Sequence, residues 1–188
     1  MMRQENEIKV WDPLVRLFHW TLVGAFTITW LSEDEWLVLH AYAGYVIGIL
    51  LLFRLIWGLL GTRYARFSDF VRSPSSVAAY LKDLLGFRAE RTIGHNPAGG
   101  AMILALLITL LITTLTGVLA YGATGAGPLA EPLFSNAAYG SELFEEAHEL
   151  FANFTLFLVV LHLLGVGFGS YLHGENLVRA MITGNKRV

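Results

Sequence analysis

The segment Gly99–Gly122, GGAMILALLITLLITTLTGVLAYG, runs for 24 residues without one charged side chain. A helix of about 20 apolar residues crosses a hydrocarbon core of roughly 30 Å. Three more segments have this character: 14–31, 37–60 and 143–172. Hydrophobic residues make up 55% of the 188-residue chain, too many for an ordinary soluble domain. Trp11, Trp30 and Trp36 flank the first segment where interfacial anchors belong. That segment lacks a small-residue cleavage site and carries Trp and His, so it reads as a span and not as a signal peptide. The expected fold class is all-α, an integral membrane four-helix bundle forming a single domain over residues 1–188.

Charge sets the orientation. All 13 Lys and Arg fall on one side of the four spans, together with seven of the 15 acids. The other side has no cation and eight acids: Glu33, Asp34, Glu35, Glu131, Glu142, Glu145, Glu146 and Glu149. Basic loops stay in the cytoplasm, so both termini are expected there, in a multi-pass membrane protein. Nothing in the totals points to nucleic acid.

The long basic loop has internal order. In SPSSVAAYLKDLLG, Ser73 and Pro74 supply a helix start and Gly86 a stop. Val77, Tyr80, Leu81, Leu84 and Leu85 repeat with helical period. The pattern gives a short amphipathic helix over 74–85, either on the inner membrane surface or packed on the end of the bundle. The opposite loop, ATGAGPLAEPLFSNAAYGS, is rich in Gly, Pro and Ala and is expected to cap the outer end.

Six histidines remain to be explained. His95, in GHNPAGG, and His173 stand at span ends near water, where an imidazole costs little. The other four lie within spans, where an ionisable group is a functional candidate. His148 and His162 are fourteen residues apart, a rise of about 21 Å with a return to within about 40° of one helix face. His19 matches His162 in depth near the inner end, and His40 matches His148 near the outer end. The four therefore sort into an inner and an outer pair on three helices.

Two facing imidazoles can hold a haem iron from opposite sides. With no cysteine in the chain, thiolate ligation and thioether attachment are excluded. Zinc or copper remains open, though no pair has an evident third and fourth ligand. Gly44 and Gly48 follow His40 by one and two turns, and Gly165, Gly167 and Gly169 follow His162. Glycines at such places let a flat ring approach the backbone, or simply pack helices together. Arg16 and Arg54 near the inner end are candidates to pair with a haem propionate. Arg54 is the stronger, since it interrupts an apolar run, although a cation there can also snorkel to the headgroups.

Four stretches, VWDPLVRLFHW, LHAYAGYVIG, FRLIWGLLGTRYARFSDF and GHNPAGG, resemble the bacterial cytochrome b561 family, which takes in the cytochrome b subunits of nickel–iron hydrogenases. The likeness covers nearly the whole chain. It implies four helices, two b-type haems and ligands from the first, second and fourth helices, here His19, His40, His148 and His162. It implies the pairs His19 with His162 and His40 with His148, and electron exchange with a membrane quinone.

The expected function is transmembrane electron transfer between a quinone and a periplasmic redox partner. The acidic outer face suits a basic protein such as a small cytochrome c. A superoxide:quinone oxidoreductase is the alternative, and a proton channel or transporter with relaying histidines is a third reading.

Overall fold

Asp12 fixes where the first helix begins. Its Oδ1 accepts hydrogen bonds from the backbone N–H of Leu14 (2.9 Å) and Val15 (3.0 Å), and Pro13 occupies the first helical position. This satisfies donors that a helix start otherwise leaves open. Oδ2 accepts from Thr62 Oγ1 at 2.6 Å and Trp57 Nε1 at 3.2 Å, so the same carboxylate ties the start of one helix to the end of the next. Burial works to raise the Asp12 pKa, but the bonds from Thr62, Val15, Trp57 and Leu14 outweigh it and hold the carboxyl below its ordinary value.

The computed structural model describes residues 7–32, 36–130 and 141–187. Four of the outer acids, Glu33, Asp34, Glu35 and Glu131, lie outside them, as does much of the outer loop. In chain order the elements are β1 (Glu7–Lys9), α1 (Pro13–Leu31), α2 (Leu37–Leu60), a 3₁₀ turn (Arg63–Ala65), α3 (Phe67–Phe70), α4 (Pro74–Leu85), α5 (Pro97–Ala123), α6 (Ser141–His173), α7 (Leu177–Thr183) and β2 (Asn185–Arg187). Four of these helices, α1, α2, α5 and α6, are long and apolar enough to cross a membrane. Leu52, Leu59, Leu163 and Leu164 are among the many large apolar side chains they expose, as lipid-facing helices do. Three threonine hydroxyls within α5 are satisfied locally. Thr109, Thr113 and Thr116 each donate to the carbonyl four residues back, so none needs water.

The residues group into two compact units. One gathers Met1–His19, Arg54–Leu104 and Val160–Val188. Its core joins Val10, Trp11 and Ala180, with Ile8, Tyr64 and Met181 packed around them. β1 and β2 pair antiparallel, with Ile8 opposite Lys186. Glu175 holds this region together through Arg91 (2.9 Å) and the buried Lys186 (3.1 Å). Burial would raise the Glu175 pKa, yet hydrogen bonds and charge from both cations lower it.

Phe70 in the same unit is fully buried. A methyl at Gly100 would come 2.5 Å from the Phe70 carbonyl oxygen, and one at Gly58 would come 2.1 Å from the Phe67 ring. These two glycines let α2 and α5 close around α3.

The second unit gathers Trp20–Phe53 and Ala105–Val159. Ala25, Ile47, Leu51 and Leu110 form its core, flanked by Leu22, Phe26 and Leu107. Gly48 packs on Thr114, whose Cγ2 is 3.4 Å from where a Cβ would sit. Thr155, fully buried, shares a hydrogen bond with Thr113 at 3.2 Å.

Candidate functional site

His40 on α2 and His148 on α6 face each other in the second unit. Their ring centroids are 5.9 Å apart and their planes nearly perpendicular, at 84°. His40 Nδ1 stands 2.9 Å from the carbonyl oxygen of Thr29 on α1. His148 Nδ1 stands 2.9 Å from the carbonyl oxygen of Thr113 on α5. A carbonyl only accepts, so Nδ1 carries the hydrogen in both rings. In the neutral imidazole the lone pair is then on Nε2, the state a metal ligand needs. A main-chain acceptor behind each ring also fixes its orientation.

The spacing fits a single iron between the rings. Two metal–nitrogen bonds of about 2 Å each, plus the distance from each nitrogen to its ring centre, separate the centroids by roughly 6 Å. Among the described residues no group of three or more His, Asp or Glu gathers as a metal cage. A haem held by two histidines would supply the remaining coordination from its own macrocycle. A methyl added at Gly44, one turn after His40, would meet no atom within 4 Å. Gly44 and Gly48 therefore differ, the second packing on Thr114 and the first facing open space.

The inner pair belongs to the first unit. His19 on α1 and His162 on α6 are close enough for the charge of one to act on the other. Arg54 is only 4% exposed, so it does not reach out to headgroups. Its guanidinium lies over Phe67, 4.9 Å from the ring centroid, and 5.8 Å from that of Phe70. Its Nη1 is buried without a hydrogen-bond partner. Asp12 acts on it through charge alone, since both Asp12 oxygens are engaged elsewhere. A buried cation with a free N–H is a place for an anion such as a carboxylate. Arg16 Nε is likewise buried and unpartnered.

His95 departs from the expectation of a histidine near water. Its ring sits 4.5 Å from Trp11 and 4.8 Å from Phe70, centroid to centroid, and its Nδ1 is buried without a partner. Burial, then the charges of Arg54, Lys186 and His162, push its pKa down to about 3, so it is neutral at physiological pH. His173 is the last residue of α6.

Sequence reasoning missed what α5 contributes. That span carries no histidine, yet Thr113 and Gly117, four residues apart on one face, seat His148. The first supplies the carbonyl; the second leaves the gap, since a methyl there would come 2.7 Å from His148 Cε1. The available signal was the mid-helix glycine of TLTGV on a helix without histidine.

A model of prokaryotic cytochrome b561 matches residues 10–184. The chain belongs to the prokaryotic cytochrome b561 family. It is a multi-pass protein of the bacterial inner membrane, and it transfers electrons across that membrane through b-type haem. A relative from Azotobacter chroococcum mcd 1, a probable Ni/Fe-hydrogenase B-type cytochrome subunit, is 25% identical over 97% of this cytochrome and 90% of its own length. No solved structure matches the chain.

Proposed function

We propose that this cytochrome carries electrons through two bis-histidine b-type haems, between a membrane quinone and a redox partner on the periplasmic side. His40 and His148 would hold the outer haem, His19 and His162 the inner. The observation that carries this reading is the facing pair His40 and His148, each with Nδ1 at a main-chain carbonyl, which puts on Nε2 the lone pair that iron would take. Bound there, haem supplies reversible one-electron transfer. Histidine ligation from both members of each pair would keep oxygen off the iron, so the haem would supply electron transfer without oxygen chemistry.

The other residues take supporting roles. Arg54, with Arg16 beside the same end, would neutralise a propionate of the inner haem. Gly44 would let the outer ring lie close against α2. In this orientation both termini are cytoplasmic and the exposed Glu142, Glu145, Glu146 and Glu149 stand outside, where their charge attracts a basic partner. The name of the Azotobacter relative supports a partner enzyme that exchanges electrons with this chain. Repulsion of a small anion by the same acids weighs against superoxide as substrate.

Proteoliposomes loaded with a reduced quinone test the reading. Quinol should reduce both haems, and a basic cytochrome c added at the acidic face should reoxidise them, more slowly at high salt. Haems that quinol leaves oxidised, but that superoxide reduces until superoxide dismutase is added, would overturn it.

A further inference from the structure

The helix α4 has no buried residue, although it joins two membrane spans. Only three residues separate Phe70, at the end of α3, from its start, and eleven separate its end from Pro97 at the start of α5. It therefore cannot stray far from the membrane surface. Ser73 caps it, accepting from the Ser76 N–H, and Pro74 opens it, so it is a stable helix and not a passing turn.

Its apolar stripe divides in two. Val77, Tyr80 and Leu84 are half-buried on one edge of the stripe. Leu81 and Leu85 form the other edge and are exposed, Leu85 to 78%. Lys82 borders that exposed edge, and Arg72 and Arg88 stand at the two ends of the helix.

The turn after α4 gives the depth. Phe87 has φ 55°, the only left-handed non-glycine among the described residues. Its N–H donates to the Leu84 carbonyl at 3.1 Å and that of Arg88 to the Asp83 carbonyl at 2.8 Å, a helix stop in which glycine ordinarily takes the left-handed position. Gly86, the expected stop, has φ −83° instead. A bulky residue there costs on the order of 1 kcal/mol. The Phe87 ring reaches Phe168 on α6, with centroids 5.6 Å apart, while staying 64% exposed. Phe168 lies four residues inside Leu172, the last apolar residue of that span. Phe87 is thus an exposed aromatic held level with the apolar part of a membrane helix.

We infer that α4 and its closing turn bind the membrane surface on the cation-rich side. Leu81, Leu85 and Phe87 enter the boundary between headgroups and acyl chains, and Arg72, Lys82 and Arg88 pair with anionic headgroups. An apolar edge bordered by cations and ending in an aromatic at acyl depth is how an interfacial helix binds anionic lipid. The loop that carries Phe70 and leads to His95 is then anchored by lipid from outside.

The absence of cysteine makes this direct to test. Leu85→Cys and, on the opposite helix face, Asp83→Cys are labelled with an environment-sensitive fluorophore in the full-length holoprotein. Each is placed in nanodiscs of phosphatidylcholine with and without phosphatidylglycerol, with the haem spectrum as a folding control. Spin-labelled lipid should quench the label at 85 several-fold more than at 83. The contrast should grow with phosphatidylglycerol and shrink in a Lys82→Glu/Arg88→Glu background. Phe87→Gly keeps the left-handed turn and should move the label at 85 toward water. Equal access of iodide to both positions in every lipid would overturn the inference. So would a contrast indifferent to phosphatidylglycerol, or shielding of position 85 only in native membranes, which would give the face to a protein partner.

Discussion

Gly117 stands directly behind His148, so close that a single methyl on α5 would lie 2.7 Å from Cε1 and 2.9 Å from Nδ1 of the imidazole. A histidine on one membrane helix is thus positioned by the missing side chain of another. Gly117→Val should displace the His148 ring and lower occupancy of the outer haem several-fold, leaving the inner haem in place. Haem content per chain, with a redox titration that resolves the two centres, checks this. Unchanged content and potentials would mean that α5 does not seat the ligand.

Arg54 should act on potential more than on binding. Removing a buried cation beside an anionic haem edge stabilises the ferric state, so Arg54→Leu should lower the midpoint potential of one haem. Arg54→Lys should restore part of the shift, since charge returns without the planar fork. Two unshifted potentials with full haem content would assign Arg54 to packing on Phe67 alone.

The Asp12 carboxylate does two jobs, and substitutions separate them. Asp12→Ser keeps a capping oxygen for α1 but is too short to serve Trp57 and Thr62 as well. Asp12→Ala loses both and should cost about 1 kcal/mol more for the cap alone. Thermal loss of folded protein in detergent should rank the wild type first, Ser second and Ala last.

His95 gives a pH dependence with a definite sign. Folded, it stays neutral down to about pH 3; unfolded, it takes up a proton below its ordinary 6.5. Its contribution to stability is therefore complete above pH 6.5 and is lost progressively as pH falls toward 3. Melting temperatures between pH 7.5 and 5 should fall more steeply for the wild type than for His95→Phe. Parallel curves would contradict the assignment.

Much of the fold was legible because lipid demands long apolar helices whose backbone groups are satisfied internally. Spacing along such helices also makes depth readable, which brought His40 level with His148 before any contact was known. Rotation about the helix axis was less readable. Nothing in LHAYAGYVIG distinguishes Gly44, beside open space, from Gly48, packed on Thr114. The seat of His148 comes from a carbonyl and an absent side chain, neither of which carries a sequence signature. His95 was misplaced because a position just before a span looks wet until Trp11 and Phe70 close over it. The left-handed turn at Phe87 was hidden because Gly86, immediately before it, is the residue that ordinarily takes that conformation.

The central claim is the paired histidines, and haem stoichiometry tests it most directly. Haem b is extracted and counted per polypeptide from protein made in haem-replete cells, for the wild type and for His40→Ala and His19→Ala. The account gives two haems in the wild type and one in each variant, with a different potential surviving in each. One haem in the wild type, or two in either folded variant, would contradict it.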